Sequence, residues 1–190
     1  MKKAAILYLF LTIGFLSCKT SEKEISKLEI ANQFYQALNN SDSAVMKVLL
    51  TDSLITKEMD YKYIQTFSKK EFIEDWLKWD SVFSPTYKVL EIEQDNKIVR
   101  ATISKTDKRI LLLHKKPTVW KAVLRFDADR IVSIERSNVV FNDTIWVQNR
   151  TNLINWINHN HPELNGFLNG QTESVALKYL KAIELYNNKD

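Results

Sequence analysis

The hydrophobic period of the chain changes near Pro85, and this change constrains the fold more strongly than any other feature of the sequence. Before Pro85, apolar residues recur every three or four positions between Ile25 and Leu38, which is the pattern of one helix face. After Pro85, apolar and charged residues alternate from Lys88 to Glu93, which is the pattern of a half-buried strand. Helices followed by sequential strands predict an α+β fold, in which helices cover one face of a curved antiparallel sheet.

The strands after Pro85 are predicted to form two hairpins. The first turns at 95–96 and continues into a strand over 98–104. The second joins strands over 119–126 and 131–140. The apolar segment 109–114 is predicted to add further strand. Neighbouring strands that pair in this way give an antiparallel sheet.

Several helix-start signals precede the strands. Ser41 or Asp42 is predicted to cap a second helix, because either side chain can accept a hydrogen bond from a free backbone amide. Ser68 and Glu71 have the spacing of a capping box and predict a third helix. The segment 51–67 between them has no clear period, and no element is predicted there.

The first residues have the layout of an export signal. Two lysines precede an apolar run over 4–16 that is too short to span a bilayer. The segment 15–18, Phe-Leu-Ser-Cys, resembles the lipobox of bacterial lipoproteins. The resemblance implies a signal peptide over 1–17 and acyl chains on Cys18. The alternative is an ordinary signal peptide with an incidental cysteine.

Lipidation of Cys18 would place the rest of the chain outside the cytoplasm. A polar tether over 18–23 would join the anchor to the domain, and the membrane would be a partner through that anchor. An aspartate directly after the lipidated cysteine would resemble a signal for retention in the inner membrane. This chain has Lys19 at that position, so we expect the anchor to lie in the outer membrane of a Gram-negative bacterium. Cys18 is the only cysteine, which excludes an internal disulfide.

The charge balance excludes one class of partner. The chain has 27 basic and 23 acidic residues, a formal net charge of +4. Loss of Lys2 and Lys3 with the signal lowers this from +4 to +2. Such a small excess gives no electrostatic basis for nucleic-acid binding.

Two segments carry a family resemblance. Residues 30–42 resemble the first helix and turn of the nuclear-transport-factor-2-like, or SnoaL-like, superfamily, and residues 126–132 resemble its last hairpin. The resemblance covers 24–140 and leaves 141–190 as an extension, with helices predicted around Leu153 and Tyr179. It implies a cone-shaped fold with a pocket between sheet and helices. The superfamily includes ketosteroid isomerases, polyketide cyclases, dehydratases and non-catalytic binding domains, so the fold does not choose a function.

The isomerase branch resembles this chain over 31–58 and gives a test by residue type. The tyrosine that donates a hydrogen bond to the oxyanion in that branch would fall on Phe34, which has no donor. Its carboxylate base would fall near Glu58. Tyr35 is adjacent to Phe34, but neighbouring residues on a helix point in different directions. Catalysis is therefore disfavoured, and Glu58 is expected to be a surface charge.

Glu135 is a second candidate carboxylate, and its position depends on the hairpin register. If Ala128 and Asp129 alone form the turn, Glu135 lies opposite Ala122 on an apolar face, where a carboxylate would suggest function. If the turn has one more residue, Glu135 lies opposite Lys121 and forms an ordinary cross-strand ion pair. The ion pair is the preferred interpretation.

Aromatic residues are the candidates for lining a pocket. Phe34, Trp76, Trp79 and Trp120 could hold a small apolar or sugar-like ligand. The alternative is that tryptophans at helical and strand periods are core residues, which is the more common case.

Metal and cofactor sites are not expected. His159 and His161 are two positions apart, and neither they nor His114 have the third ligand that a zinc site needs. With three glycines the chain has no loop that could cradle a phosphate. No metal and no cofactor are predicted.

The sequence therefore predicts a lipid-anchored envelope protein. Its cone domain would bind a small apolar ligand or an envelope protein without catalysis. The alternative is a small-molecule isomerase, cyclase or hydratase that uses Glu58 or Glu135 as a pocket carboxylate. The sequence does not set the oligomeric state.

Overall fold

The computed structural model describes residues 26–189. The predicted signal peptide, Cys18, the tether and the first two residues of the predicted domain lie outside the described residues. The described part of the chain forms helices and strands in the predicted α+β order. The helices are α1 (Lys27–Asn40), α2 (Ser43–Leu49), α3 (Lys69–Glu71, then a π-helical turn Phe72–Leu77, then Lys78–Ser81), α4 (Lys108–Leu113), α5 (Asp143–Asn160) and α6 (Glu173–Asn187). The strands are β1 (Leu50–Glu58), β2 (Tyr63–Ser68), β3 (Thr86–Asp95), β4 (Ile98–Thr106), β5 (Thr118–Asp127) and β6 (Arg130–Val140).

The two first helices are joined by a tight turn. Ser41 takes the left-handed conformation, with φ of 52°, and ends α1. The Asp42 carboxylate then accepts hydrogen bonds from the backbone amides of Ala44 and Val45 and caps α2. The two candidate caps therefore have different roles. Ser41 closes one helix, and Asp42 opens the next.

The sheet is mixed, which corrects the prediction of a wholly antiparallel one. Its strand order is β2-β1-β6-β5-β4-β3, and β1 runs parallel to β6. Helix α2 contacts β6 and brings the chain to the end of the sheet where β6 begins, so Leu50 pairs with Ile131. The prediction assumed that strands pair only with their neighbours in sequence. β1 does pair with β2, but its other partner is β6, the last strand along the chain.

The segment without a clear period is the β1–β2 hairpin. A 3₁₀ turn, Met59–Tyr61, joins the strands, and Lys62 follows it with a φ of 51°. β2 is an edge strand whose residues are mostly exposed. Exposure on both faces removes the alternation of apolar and polar residues that identifies a half-buried strand.

The segment predicted as strand over 109–114 is helix α4, so that prediction was wrong. Asp107 caps this helix through a 2.6 Å hydrogen bond from the Ile110 amide. Periodicity does not separate a short buried helix from a buried strand when the apolar run is brief. The capping aspartate was the available signal.

The β5–β6 hairpin has a register that neither alternative predicted. Asp127 pairs with Arg130, so the turn has two residues, but a bulge between Arg125 and Phe126 shifts the pairing along the strand. Glu135 consequently lies opposite Val123 rather than Ala122 or Lys121. Ladder pairing can shift at a bulge without any change in the turn.

Two cores hold the described residues together. The first lies between the sheet and helices α1 to α3. The second lies where α5 and α6 pack against α4 and the end of α3, around Phe83, Leu153 and Ile157. The helices predicted near Leu153 and Tyr179 are confirmed. Within residues 26–189, no helix has the length and apolar character needed to cross a bilayer.

Candidate functional site

A first cavity of about 140 Å³ lies between α1, α3 and the sheet. Its wall combines aromatic side chains with a few polar ones. Phe34, Phe67 and Phe72 line it together with Trp76 and Trp120. We call this space the first cavity. It has the composition of a small-molecule site, in which apolar walls surround a few polar groups.

Glu58 and Arg136 form an ion pair in the wall of the first cavity. They are direct neighbours on the parallel strands β1 and β6. The Arg136 guanidinium donates a hydrogen bond to the Glu58 carboxylate, and the side chains of Arg136 and Glu58 are 31% and 27% exposed. The Arg136 Cζ atom also lies 5.7 Å from the Trp120 ring centroid. The pair thus places one acceptor and one donor group beside an indole ring.

Tyr35 lines the same cavity as Phe34, contrary to the expectation that it points elsewhere. The sheet curves around α1, so residues on a wide arc of this helix are buried, and both positions fall within that arc. Burial raises the pKa of the Tyr35 phenol, and the nearby Arg136 opposes this rise. The hydroxyl therefore remains a hydrogen-bond donor. Within residues 26–189 it has no hydrogen-bond partner.

Two further donors at the first cavity lack partners among the described residues. They are Nε1 of Trp120 and Nε of Arg136. Trp120 is only 7% exposed. A buried donor without a partner is costly, and in native proteins such a group often marks a place where water or a ligand binds. Together with the Tyr35 hydroxyl, these donors favour a ligand that carries a hydrogen-bond acceptor.

A second cavity of about 280 Å³ adjoins the first. The two share wall residues, and these are Glu58, Trp76, Trp120, Arg136 and Gln171. Gln171 comes from the segment between α5 and α6, and its Oε1 accepts a 3.5 Å hydrogen bond from Gln65 on β2. The C-terminal extension thus reaches the cavities through this segment. Taken together, the two cavities fall at the lower end of the roughly 300–1,000 Å³ typical of small-molecule sites.

Four charged side chains form a buried cluster at the second cavity. Lys105 donates a 2.5 Å hydrogen bond to Asp80, and Arg109 donates a 3.0 Å hydrogen bond to Asp107. Lys105 also lies 3.4 Å from Asp107. Burial lowers the pKa of Lys105. For Asp107, burial acts to raise the pKa, but Arg109 and Lys105 outweigh it and lower the pKa. We call these residues the buried charge cluster.

Tyr87 connects the buried charge cluster to helix α1. Its hydroxyl donates a 2.7 Å hydrogen bond to Asp80, and its backbone amide and carbonyl both bond to the Asn39 side chain. Burial and the neighbouring Asp80 raise the pKa of the Tyr87 phenol. Because Tyr87 also lines the first cavity, a wall residue of that cavity is hydrogen-bonded to the buried charge cluster.

The structure brings most of the candidate residues together. Phe34, Trp76, Trp120 and Glu58 line the first cavity, whereas Trp79 lines only the second. Trp79 is largely buried in the second core.

Glu135 lies on the opposite face of the sheet from the cavities. It accepts a 2.9 Å hydrogen bond from Lys57 and lies 3.4 Å from Arg125. The hydrogen bond from Lys57 lowers the pKa of Glu135, and Arg125 adds to this effect. The preferred interpretation placed Glu135 in a cross-strand ion pair with Lys121. That partner was wrong, because the bulge moves Glu135 beside Lys57 and Arg125.

Sequence reasoning missed the polar side of the site. Lys105 lies at the end of the inward-facing series Val99, Ala101 and Ile103, and Asp80 lies beside Trp79 on the buried face of α3. A charged residue at a position that the pattern places inside was the available signal. Arg136 had no such signal, because the register of β6 decides which face it occupies.

The histidines do not assemble a metal site. Among the described residues, no group of three or more His, Cys, Asp or Glu side chains could hold a metal ion. His114 is buried and has a structural role. Its Nε2 accepts a 2.9 Å hydrogen bond from the Asn142 amide at the start of α5, and its Nδ1 donates to the Lys116 carbonyl.

Solved structures with a similar fold include three bacterial proteins. A predicted polyketide cyclase from Acidithiobacillus ferrooxidans has 14% sequence identity and a TM-score of 0.51, over 66% of this chain and 96% of that chain. A predicted ketosteroid isomerase from Kribbella flavida has 10% identity and a TM-score of 0.50, over 62% and 80%. An NTF2-like protein of unknown function from Cytophaga hutchinsonii has 11% identity and a TM-score of 0.49, over 62% and 94%.

These structural similarities identify the fold. The domain has the nuclear-transport-factor-2-like fold. No protein-family model and no curated protein matches the sequence. At such low identities the nuclear-transport-factor-2-like fold is shared, while function depends on the residues in the cavity. About a third of this chain has no counterpart in the cyclase-like protein, whose alignment covers 66% of it.

Proposed function

We propose that this domain binds a small amphipathic molecule in its two cavities without converting it. The observation that carries the proposal is an aromatic cavity whose wall includes Tyr35, Trp120 and Arg136. Nε1 of Trp120 and Nε of Arg136 are buried donors that have no partner among the described residues. A ligand with an apolar body and an acceptor group would cover the aromatic walls and satisfy these donors.

The arrangement of the carboxylates supports binding rather than catalysis. A general base must reach the proton that it removes, and Glu58 is instead hydrogen-bonded to Arg136. Glu135 lies on the other face of the sheet, away from both cavities.

The first prediction concerns the ion pair in the cavity. Replacing both partners, Glu58→Gln with Arg136→Gln, leaves no unpaired charge and removes the guanidinium donor. We expect the affinity for 2-naphthol, a probe with an aromatic body and one hydroxyl, to fall about tenfold or more, because one good hydrogen bond to a charged group is lost. Isothermal titration calorimetry on the full-length chain measures the change.

The chain supplies a matched control for this experiment. Arg125 and Glu135 form an ion pair of the same residue types on the outer face of the sheet. Changing both to glutamine should leave the affinity for 2-naphthol unchanged. An equal loss in both double variants, or no binding by the unmodified chain, would contradict the proposal.

Catalysis is the second candidate, and one observation favours it: Tyr35 and Glu58 line the same cavity, so a donor and a carboxylate face one space. A steroid with a β,γ-unsaturated ketone is the appropriate probe, and the conjugated product is followed by its absorbance. Turnover that disappears in Glu58→Gln but persists in Glu135→Gln would replace the binding proposal with catalysis.

We also propose that the domain is held at the cell envelope, in the outer membrane, through lipid on Cys18. The support comes from the segment 15–18 and from Lys19, which follows the cysteine. Metabolic labelling with an alkyne-bearing palmitate analogue should mark the full-length chain, and Cys18→Ser should abolish the label. A labelled Cys18→Ser chain, or an unlabelled unmodified chain in cells whose other lipoproteins are labelled, would reject the anchor.

A further inference from the structure

The second cavity has an unusual composition. Four of the five tryptophans of the chain, Trp76, Trp79, Trp120 and Trp146, contribute to its wall. Phe72 stacks on Trp76 at 4.8 Å between ring centroids and covers one of its faces. Since Trp76 lines both cavities, its remaining surface forms part of the boundary between them. Arg109 likewise lies over the Trp79 ring, so Trp146 is the tryptophan of this wall whose ring is not covered by a cation or by a stacked ring among the described residues.

The charges of the second cavity are paired within the protein. Asp80 accepts a hydrogen bond from Lys105, and Glu58 accepts one from Arg136. Arg109 is paired with Asp107, and its Cζ atom lies 4.5 Å from the Trp79 ring centroid. A small anion would have to displace one of these carboxylates, so free anions are poor candidates for the site.

The polar groups that remain are mixed donors and acceptors. Nε of Arg109 has no partner among the described residues. Asn138 and Gln171 add side-chain amides, each engaged through one atom: Asn138 Nδ2 donates a 3.4 Å hydrogen bond to the Tyr61 hydroxyl, and Gln171 Oε1 accepts one from Gln65. The Asn138 oxygen, an acceptor, and the Gln171 nitrogen, a donor, are the amide atoms left for a ligand. A wholly apolar ligand would leave these groups unsatisfied. A neutral ligand with several hydroxyl groups would match them, since each hydroxyl also donates and accepts.

A sugar ring combines the two properties that the second cavity requires. Its hydroxyl groups form hydrogen bonds in the plane of the ring, and its C–H faces pack against the electron-rich faces of aromatic rings. The adjoining first cavity is the more apolar of the two and would suit an apolar substituent.

We propose that the ligand is a glycoside, whose sugar ring occupies the second cavity and whose apolar aglycone occupies the first. This inference rests on the proposed binding function and names the chemical class of the ligand. The sugar binds beside Trp146 and Asn138, which line only the second cavity. The aglycone packs against Phe34 and Phe72, which stack on each other at 6.5 Å and line only the first.

The test compares glycosides with their own aglycone. The full-length chain is titrated with 2-naphthol and with its β-glucoside, β-galactoside and N-acetyl-β-glucosaminide. We expect at least one glycoside to bind about tenfold more tightly than 2-naphthol, which corresponds to one added stacking and hydrogen-bonding contact. If 2-naphthol binds as tightly as all three glycosides, the sugar site is rejected and the proposed function stands. If none of the four binds, both fail.

A matched pair of variants locates the sugar. Trp146 and Trp156 both lie on α5, and both pack at the edge of the second core. Of the two, only Trp146 lines the second cavity, and Trp156 lines neither cavity. Trp146→Leu should remove the tenfold advantage of the glycoside and leave the affinity for 2-naphthol unchanged. Trp156→Leu should change neither. Thermal unfolding of each variant checks that it is folded, and equal effects of the two substitutions would overturn the assignment.

Discussion

Asp80→Ala is expected to lower the free energy of unfolding by roughly 3–5 kcal/mol, the usual cost of breaking a buried ion pair from one side. Asp80 is 1% exposed and accepts hydrogen bonds from both Lys105 and Tyr87. Its removal leaves two cations, Lys105 and Arg109, and within residues 26–189 Asp107 is then the one carboxylate that pairs with them. A buried excess of positive charge is poorly solvated and therefore costly. Urea unfolding, followed by tryptophan fluorescence, measures the loss.

Two further variants test whether charge imbalance is the cause. Adding Lys105→Met to the alanine variant removes the excess cation, and it should recover most of the lost stability. Glu74→Ala breaks an exposed pair with Lys70 and should cost less than about 1 kcal/mol. A double variant that is less stable than Asp80→Ala would show that packing, and not charge, accounts for the loss.

Phe83→Ala is expected to lower the free energy of unfolding by roughly 3–5 kcal/mol, because it opens a cavity in the second core. Phe83 is fully buried where the end of α3 meets the C-terminal helices. Its ring makes edge contacts with Trp79 at 5.2 Å and with Tyr179 at 5.4 Å. A typical domain has a stability of about 5–15 kcal/mol, so this loss is a large share of it.

This variant also tests how the C-terminal helices relate to the rest of the domain. If α5 and α6 form one cooperative unit with the sheet, Phe83→Ala should shift a single unfolding transition to lower urea concentration. The control is Leu111→Ala on α4, at a residue that is 53% exposed, which should change stability by no more than about 0.5 kcal/mol. Two separate transitions would show that the second core unfolds independently.

Local signals in the sequence identified most of the elements. Capping at Asp42 and the capping box at Ser68 begin helices where they were expected, because a cap depends only on residues two or three positions away. The β3–β4 hairpin follows from the alternating residues on each side of its turn. The nuclear-transport-factor-2-like fold was recognisable from the residues over 30–42 and 126–132 for the same reason.

The candidate site was recognisable only in part. The aromatic residues were found because periodicity places them inside, but Tyr35 was set aside on a helix-face argument. That argument assumes a helix with one buried side, whereas the curved sheet surrounds more of α1. The assignment of 109–114 to a strand failed because a short apolar run carries no period of its own, and the Asp107 cap was the local signal for a helix.

The sequence by itself determined the α+β class, the order of most elements and the aromatic residues of the interior, because these depend on local periods and caps. Tertiary structure decided which residues meet across the chain. The parallel pairing of β1 with β6 brings Glu58 to Arg136, and the bulge in β5–β6 moves Glu135 to the outer face. The first outcome depends on contacts between residues far apart in the chain, since Glu58 and Arg136 are separated by 78 positions. The second depends on a bulge inside a hairpin, and the alternation of residues along a strand does not show where a bulge will form.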